Sequence, residues 1–183
     1  MTTDSAATRA LEASHTVRIH HPLNQSSLTP APDGFGGSHK IFLMEFSMPL
    51  TGNTGFNADM PAYWIMNAQI ALTSQYGQNQ NCSCWSSGCG ELDVLEVLDS
   101  GNTRCKSTLH MWPAGGSSDY FERPVNETIK VAVVLYGKGQ MATIQLLDDI
   151  VTFPDLLTPD YIEQFIADLP PPRKQSVFKL VAT

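Results

Sequence analysis

Beyond Gly36 the chain is built from short apolar runs that are separated by turn residues. Runs bounded in this way by Gly, Pro, Asn and Ser are typical of the strands of a β-sandwich or barrel. Only residues 159–169 have helical periodicity, with apolar side chains on one stripe and three prolines directly after it. The sequence therefore predicts a mainly β fold, an antiparallel β-sandwich with one short helix.

The strands are predicted from the positions of these apolar runs. They span residues 40–48, 62–69, 91–98, 107–111, 129–136, 141–147 and 176–181. A short glycine-bearing connection, Gly137-Lys138-Gly139-Gln140, separates two of them. Because such connections join antiparallel neighbours, strands 129–136 and 141–147 should form a hairpin.

A chain of 183 residues with 42% hydrophobic residues can build one domain with a sizeable core. Residues 1–34 are polar and rich in turn residues, and we interpret them as an N-terminal extension. Residues 35–183 form the predicted β-sandwich domain, which we expect to be a monomer.

Charge and hydropathy exclude two classes of partner. The formal net charge is -7, and the 11 Lys and Arg residues form no cluster, so a nucleic-acid partner is not expected. No apolar run approaches the roughly 20 residues that span a bilayer, so no membrane span is expected. The first 20 residues carry charges and lack the apolar stretch of a signal peptide.

Four cysteines lie in one quarter of the chain: Cys82, Cys84, Cys89 and Cys105. They can form disulfides in three different pairings. Their C-x-C-x4-C spacing lacks the two knuckles of a structural zinc site, which favours disulfides over metal. We expect at least two of them to be paired and to hold the loop from Cys82 to Gly90. Sequons at Asn24, Asn81 and Asn126 agree with a secreted glycoprotein, of which this chain would then be a mature, truncated or re-engineered form.

The segment ELDVLEVL places Glu91, Asp93 and Glu96 in an otherwise apolar strand. Strict alternation would put Glu91 and Asp93 on one face and Glu96 among aliphatic side chains on the other. Because burying a carboxylate among aliphatics is costly, we expect one bulged residue at Val94 or Leu95. The bulge brings the three acids to one face and leaves the opposite face aliphatic.

Two carboxylates on one strand face are suited to glycosidic bond cleavage. Glu91 and Glu96 should lie about 13 Å apart at Cα, and inward-leaning side chains can reach the roughly 5 to 5.5 Å of a retaining glycosidase. Glu91 would then be the nucleophile, Glu96 the acid/base and Asp93 an assisting residue. The alternative is a solvated strand face with three surface acids, against which the surrounding aliphatics and nearby Trp85 argue.

The hexapeptide ELDVLE resembles the catalytic strand of glycoside hydrolase family sixteen, the laminarinase and lichenase clan. Most of the chain is similar to a narrower group, the C-terminal domain of Tos-type cell-wall glycoside hydrolases of fungi and oomycetes. The matching segments are FGG at 35–37, MPAYW at 60–64, CSCW at 82–85, DSGN at 99–102 and SSDYFERP at 117–124.

The resemblance implies a concanavalin-like jelly roll and assigns the same three roles to Glu91, Asp93 and Glu96. It implies a retaining, endo-acting hydrolase or transglycosylase on the β-1,3-glucan of cell walls, outside the cell. Domains of this group usually have more strands before residue 35, where this chain has a different extension. A non-catalytic glucan-binding wall protein is therefore the alternative, and a plain structural sandwich is a third that leaves the bulge unexplained.

A glucan cleft needs flat apolar platforms and hydroxyl-binding groups. The aromatic candidates are Trp64, Trp85, Trp112, Tyr63 and Tyr120, of which we favour Trp85 and Trp64. Strand adjacency should bring His110 beside the acids, where it can donate to Glu91 or bind a sugar hydroxyl, with a plain structural histidine as the alternative. Asn67 and Gln69 are candidate hydroxyl binders. We interpret Glu122 and Arg123 as a surface ion pair. We expect no cofactor and no metal, and a structural calcium of the kind found in the distant clan leaves no motif in this sequence.

Overall fold

The computed structural model describes residues 17–18, 40–67, 69–70, 76, 81–113, 115–136, 141–147, 152–153, 156, 158–160, 163 and 175–179. Within these residues the strands form two sheets. One has the order β1-β3-β4-β5-β6, and its strands are Val17–Arg18, Ala62–Met66, Glu91–Glu96, Arg104–His110 and Gly116–Glu122. The other has the order β2-β7-β8-β9, and its strands are Lys40–Phe46, Ile129–Tyr136, Met141–Leu147 and Gln175–Lys179.

The core lies between the two sheets. From the five-stranded sheet it takes Val94, Leu95 and Phe121, and from the four-stranded sheet Phe46 and Val131. The opposite face of the five-stranded sheet therefore points away from the core. This arrangement confirms the predicted mainly β, antiparallel sandwich, while its jelly-roll connectivity stays a prediction.

Most strand predictions agree with the structure to within a few residues. Strands β7 and β8 have the predicted bounds and pair antiparallel, with Tyr136 opposite Met141, as the predicted hairpin requires. Strand β6 was not predicted because its sequence, GSSDYFE, is mostly small and polar. Val17 and Arg18, in the predicted extension, pair in parallel with β3. Of the predicted helix, Pro159, Asp160 and Glu163 are helical, and the rest lies outside the described residues.

The predicted bulge in β4 is confirmed. On the β3 side, Tyr63 pairs with Leu95 and Trp64 with Asp93, so Val94 is the extra residue. The register with β5 also shifts between Asp93 and Glu96. Ser107 on β5 donates its hydroxyl to the carbonyl of Val94, which satisfies a backbone group that the bulge takes out of the ladder.

The interpretation of Arg123 as half of a surface ion pair was wrong. Arg123 is 2% exposed, and its Nη2 donates to Asp59 Oδ1 at 2.7 Å. The same guanidinium donates to the carbonyls of Met48, Pro49 and Asn102. A planar group with five donors can join several backbone segments at once, so this ion pair connects three loops at one end of the sandwich.

Candidate functional site

The outward face of the five-stranded sheet carries Glu91, Asp93 and Glu96 on β4. Residues directly opposite each other in a sheet share a face. On β3 the partners of the acids are Met66, Trp64 and Ala62. On β5 they are His110, Thr108 and Lys106. We call this surface the acidic face, and the bulge is its cause, because without it Glu96 would point into the core.

Glu91 is a carboxylate that is largely removed from water, being only 5% exposed. The indole Nε1 of Trp85 donates to its Oε1 at 3.4 Å. Its Oε2 is also buried and accepts no hydrogen bond from the residues that the structure describes. Burial raises the pKa of Glu91, and the charge of Asp93 adds to the rise, whereas contacts with Cys84 and Trp85 oppose it.

Asp93 and His110 form a pair beside Glu91. Asp93 is 4% exposed, and the Nε2 of His110 lies 3.0 Å from its Oδ2. The hydrogen bond to Asp93 raises the pKa of His110, which burial alone would lower. Sequence reasoning predicted that strand pairing would bring His110 beside the acids, and this is confirmed. Its partner is Asp93, although the residue directly opposite it in the sheet is Glu91.

Glu96 is the most accessible of the three acids and is half-buried. Burial, together with the charges of Asp93 and Glu91, raises its pKa to about 7. A carboxyl group with this pKa holds its proton near neutral pH and can give it up readily. That is the property that a general acid in glycosidic cleavage requires.

A cross-linked loop covers one end of the acidic face. A disulfide joins Cys82 to Cys89, which confirms the expected pairing of at least two cysteines. Inside the loop, Ser87 Oγ accepts the amide hydrogen of Ser83 at 2.8 Å and donates to the Ser83 carbonyl at 3.0 Å. Gly90 ends the loop at φ +73, and a Cβ there would lie 3.1 Å from the His110 carbonyl. Glycine therefore allows the chain to enter β4 in close contact with β5.

An aromatic row runs from Tyr76, through Trp85 of this loop, to His110 beside the acids. The ring centroids of Tyr76 and Trp85 are 4.8 Å apart, and those of Trp85 and His110 are 5.3 Å apart. Trp85 is 54% exposed although its indole N–H is bonded to Glu91, so a large part of its ring is open to solvent. The rings are tilted to their neighbours by 53° and 36°, so the row is an uneven aromatic surface directly beside Glu91 and Asp93.

The other predicted aromatic residues divide into three groups. Tyr63 faces the core, so its assignment to a substrate platform was wrong. Trp64 lies opposite Asp93 on the acidic face, but it is only 6% exposed. Trp112 and Tyr120 are exposed. Trp112 donates its amide hydrogen to Ser87 of the disulfide loop, and Tyr120 borders an open groove of about 830 Å³ two strands away from Glu96.

The polar candidates lie where β3 ends. Asn67 is exposed, and its amide donates to the Gly90 carbonyl, which places it next to the start of β4. Its side-chain oxygen accepts the amide hydrogen of Gln69 at 2.9 Å, so this group holds a turn. Because the chain turns at Asn67, the predicted strand 62–69 ends at Met66.

Cys84 and Cys105 lie outside the disulfide, and both are buried. Cys84 contacts Glu91, a neighbour that sequence reasoning missed because it treated all four cysteines as disulfide candidates. Cys105 lies on the core face, where burial raises the pKa of its thiol to about 12. Among the described residues, the side chains whose ligand atoms are close enough together to hold a cation are Glu91, Asp93 and His110.

Three comparisons with known proteins bear on this site. The family model described as "Cell wall protein YJL171C/Tos1, C-terminal" matches residues 25–165. A protein of Arthroderma benhamiae, named "Probable circularly permuted 1,3-beta-glucanase", is 49% identical over 141 residues, which cover 73% of this chain and 32% of that protein. No solved structure matches the chain.

Two yeast relatives carry the name "Probable circularly permuted 1,3-beta-glucanase TOS1". The one from Saccharomyces cerevisiae is 43% identical over 139 residues, covering 75% of this chain and 30% of its own length. The one from Candida albicans is 42% identical over 150 residues, covering 76% of this chain and 32% of its own length. The chain thus spans about a third of the length of the curated relatives it matches.

Proposed function

The chain belongs to the YJL171C/Tos1 C-terminal family of cell wall proteins, and from this membership and the acidic face we propose that it cleaves β-1,3-glucan. The proposed activity is that of a retaining, endo-acting hydrolase or transglycosylase. Glu91 is the nucleophile, Glu96 the acid/base and Asp93 the assisting residue. The substrate class comes from the relatives' printed name, "Probable circularly permuted 1,3-beta-glucanase".

The observation that carries the proposal is the bulge in β4. It places three carboxylates on one face of a sheet and buries Glu91 and Asp93 to within a few per cent of full burial. Burying two carboxylates side by side costs free energy that a merely structural sandwich would avoid. A solvated strand face with three surface acids is not compatible with this burial.

In the proposed reaction Glu91 attacks the anomeric carbon while Glu96 gives its proton to the departing glycosidic oxygen. The glycosyl–enzyme bond is then broken by water, whose proton returns to Glu96, or by a second sugar hydroxyl, which gives transglycosylation. The pKa of Glu96, raised to about 7, supports the acid role. The buried Oε2 of Glu91 accepts no hydrogen bond from the described residues, which supports the role of nucleophile because no bond to them must be broken before attack.

Asp93 and His110 support the reaction without bonding to the sugar. Asp93 carries negative charge next to both glutamates, which raises the pKa of each. His110 holds Asp93 through the 3.0 Å contact and limits its orientation. We therefore assign Asp93 and His110 to positioning and to keeping the proton on Glu96 before the first step.

The Tyr76–Trp85–His110 row supports a polysaccharide substrate. Flat aromatic faces pack against the apolar faces of pyranose rings. Trp112, next to the disulfide loop, and Tyr120, two strands from Glu96, add exposed rings, which suits a chain that passes through rather than a chain end. We include Asn67, Gln69 and Trp64 in the proposed substrate site because they lie on or just after β3, the strand that pairs with the acids.

The family description as a cell wall protein supports a location outside the cell. The disulfide and the exposed sequon residues Asn81 and Asn126 agree with that environment. Within the residues that the structure covers, no helix is long and apolar enough to cross a bilayer. We propose a monomeric, glycosylated wall enzyme.

The test is the stereochemistry of azide rescue. Glu91→Ala should be inactive, and azide entering the vacated side should yield the inverted glycosyl azide. Glu96→Ala should still form the glycosyl–enzyme from substrates with activated leaving groups, and azide should restore turnover with retained configuration, since that step needs no general base. The swapped result would reverse the two roles.

The substrate is tested by product analysis on laminarin, with lichenan and xylan as controls. Short β-1,3-linked oligosaccharides from laminarin support endo cleavage. If the wild-type chain binds laminarin but the substitutions at Glu91 and Glu96 change no activity, the non-catalytic binding protein is the correct alternative.

A further inference from the structure

We propose that Glu91, Asp93 and His110 form a binding site for a divalent transition-metal ion, Zn²⁺ in the first instance. The site is independent of any sugar, and only its consequence for catalysis rests on the proposed function. One ligand atom from each residue lies within 4.8 Å of the others. Occupancy of this site would block glucan cleavage, so the ion is a reversible inhibitor.

The ligand types select the ion. An imidazole nitrogen and two carboxylate oxygens are a ligand set for Zn²⁺ and its first-row neighbours, whereas Ca²⁺ and Mg²⁺ prefer oxygen alone. Three protein ligands leave the fourth tetrahedral position open to water. This is the arrangement of accessible zinc sites rather than of closed structural ones.

The spacing of the atoms fits one ion after small side-chain movements. Two ligands that each lie about 2.1 Å from a metal are about 3.0 to 3.4 Å apart for right-angle or tetrahedral geometry. The 3.0 Å separation of His110 Nε2 and Asp93 Oδ2 already equals this value. Only Glu91 must move closer, and its Oε2 can turn without breaking a hydrogen bond to the described part of the chain.

A second, independent indication of a ligand is the buried Glu91 Oε2, which has no hydrogen-bond partner among the described residues. Its residue is 95% buried, and an oxygen at that depth has lost its hydrogen bonds to water while no described residue replaces them. Glu91, Asp93 and Glu96 lie on one face of β4, so their negative charges repel one another. A divalent cation would give Oε2 a partner and relieve the repulsion.

Access to the site is through His110, whose side chain is 33% exposed. An ion held there takes Glu91 Oε2, the atom that would attack the anomeric carbon. Metal binding and formation of the glycosyl–enzyme are therefore mutually exclusive. Zn²⁺ should raise the apparent KM for laminarin oligosaccharides and leave kcat unchanged.

The primary test is isothermal titration of Zn²⁺ into the wild-type chain without sugar, which should give one ion per chain. Ca²⁺ and Mg²⁺ should bind at least about 100-fold more weakly. Glu91→Gln, Asp93→Asn and His110→Ala should each weaken Zn²⁺ by about 100-fold or more, since even an outer-shell change costs about 10- to 100-fold. Circular dichroism identifies a variant that does not fold, and the two isosteric variants then decide.

Three control variants separate ligation from charge and from thiol binding. Glu45→Gln removes an exposed carboxylate on the other sheet and should leave Zn²⁺ affinity unchanged. Glu96→Gln should weaken Zn²⁺ by about fivefold or less, the effect of one screened charge. Cys84→Ser should retain binding, because the thiol is not in the ligand set.

The proposal is overturned if Zn²⁺ does not bind saturably, if the three ligand variants keep wild-type affinity, or if Cys84→Ser abolishes binding. Inhibition that lowers kcat instead of raising KM would overturn the mutual exclusion. Because the titration contains no substrate, metal binding can hold while the catalytic roles of Glu91 and Glu96 fail, and the reverse.

Discussion

Two buried carboxylates in this molecule have opposite environments. Asp59 receives a guanidinium hydrogen bond at 2.7 Å and an amide bond from Thr51. Burial would raise its pKa, but these bonds and the charge of Arg123 lower it below the usual value. Glu91 is similarly buried, and it has a weak bond from Trp85 and a contact with Cys84. Its other oxygen has no partner among the described residues, and its pKa is raised.

The difference teaches how to distinguish a structural acid from a reactive one. At Asp59 the hydrogen bonds and the charge of Arg123 outweigh burial and stabilise the ionised form in the folded state, which favours folding. At Glu91 the fold holds a carboxylate that neither solvent nor the described side chains fully satisfy. Such stored cost is typical of functional sites, where it is offset by stability elsewhere in the molecule.

The largest expected effect is the loss of activity in Glu91→Gln. The substitution keeps the shape of the side chain but removes the proposed nucleophile, so activity on laminarin should fall by about 10³-fold or more, which is at least about 4 kcal/mol. The thermal midpoint should stay equal or rise, because a neutral amide no longer repels Asp93. Asp59→Asn is the matched control, and it should lose stability while the folded fraction keeps its activity.

Removing the cation that pairs with Asp59 should lower the stability of the fold. Arg123→Met leaves Asp59 buried without its cation, and the free energy of unfolding should fall by about 3–5 kcal/mol in a urea titration. Asp59→Asn combined with Arg123→Met should recover part of this loss, because no uncompensated charge remains. A loss below about 1 kcal/mol would mean that the ion pair contributes little to the fold.

The disulfide loop connects stability with the acidic face. Replacing both Cys82 and Cys89 with Ser should lower the free energy of unfolding by about 2–3 kcal/mol, the loop-closure value for this short ring. It should also raise KM, because Trp85 loses the rigid loop that places it. Dithiothreitol should have the same effects on the wild-type chain and none on the double variant. Equal KM values would show that Ser83 and Ser87 hold the loop alone.

The smallest expected effect is on how stability changes with pH, which has opposite signs at Glu96 and Asp59. The pKa of Glu96 is raised to about 7, so its favourable contribution is present below about pH 4.5 and is lost as pH rises to about 7. Glu96→Gln should therefore raise the thermal midpoint at pH 8 by about 2–4 °C and have no effect near pH 4. Asp59, whose pKa is lowered, contributes above its ordinary pKa and loses its contribution on acidification, so Asp59→Asn should show the reverse pattern.

The same pKa predicts the alkaline limb of the activity profile. A general acid must be protonated, so kcat/KM should fall as pH rises above about 7. Glu96→Ala, assayed with a substrate whose leaving group needs no proton, should lose this limb for the first step. A limb that persists in the variant would assign it to another group.

The strands with apolar alternation and the acidic face were predictable from local pattern. In β4, the position of Glu96 among aliphatic residues could be reconciled with burial only by an extra residue, and Val94 is that residue. In contrast, β6 is small and polar, and it is a strand because β5 offers it a partner. Periodicity contains no information about an edge strand that buries little.

The sequence by itself determined which residues share a face and which chemistry they can support, because alternation and the cost of burying charge act within a single strand. The tertiary structure alone decided the partners: Asp93 for His110, Cys89 for Cys82, and Asp59 for Arg123. Asp59 and Arg123 are separated by 64 residues, and no local pattern records which loops will meet. Contacts of that kind depend on chain path and packing, so Arg123 appeared from sequence as a surface residue although it is one of the most buried side chains in the described part of the protein.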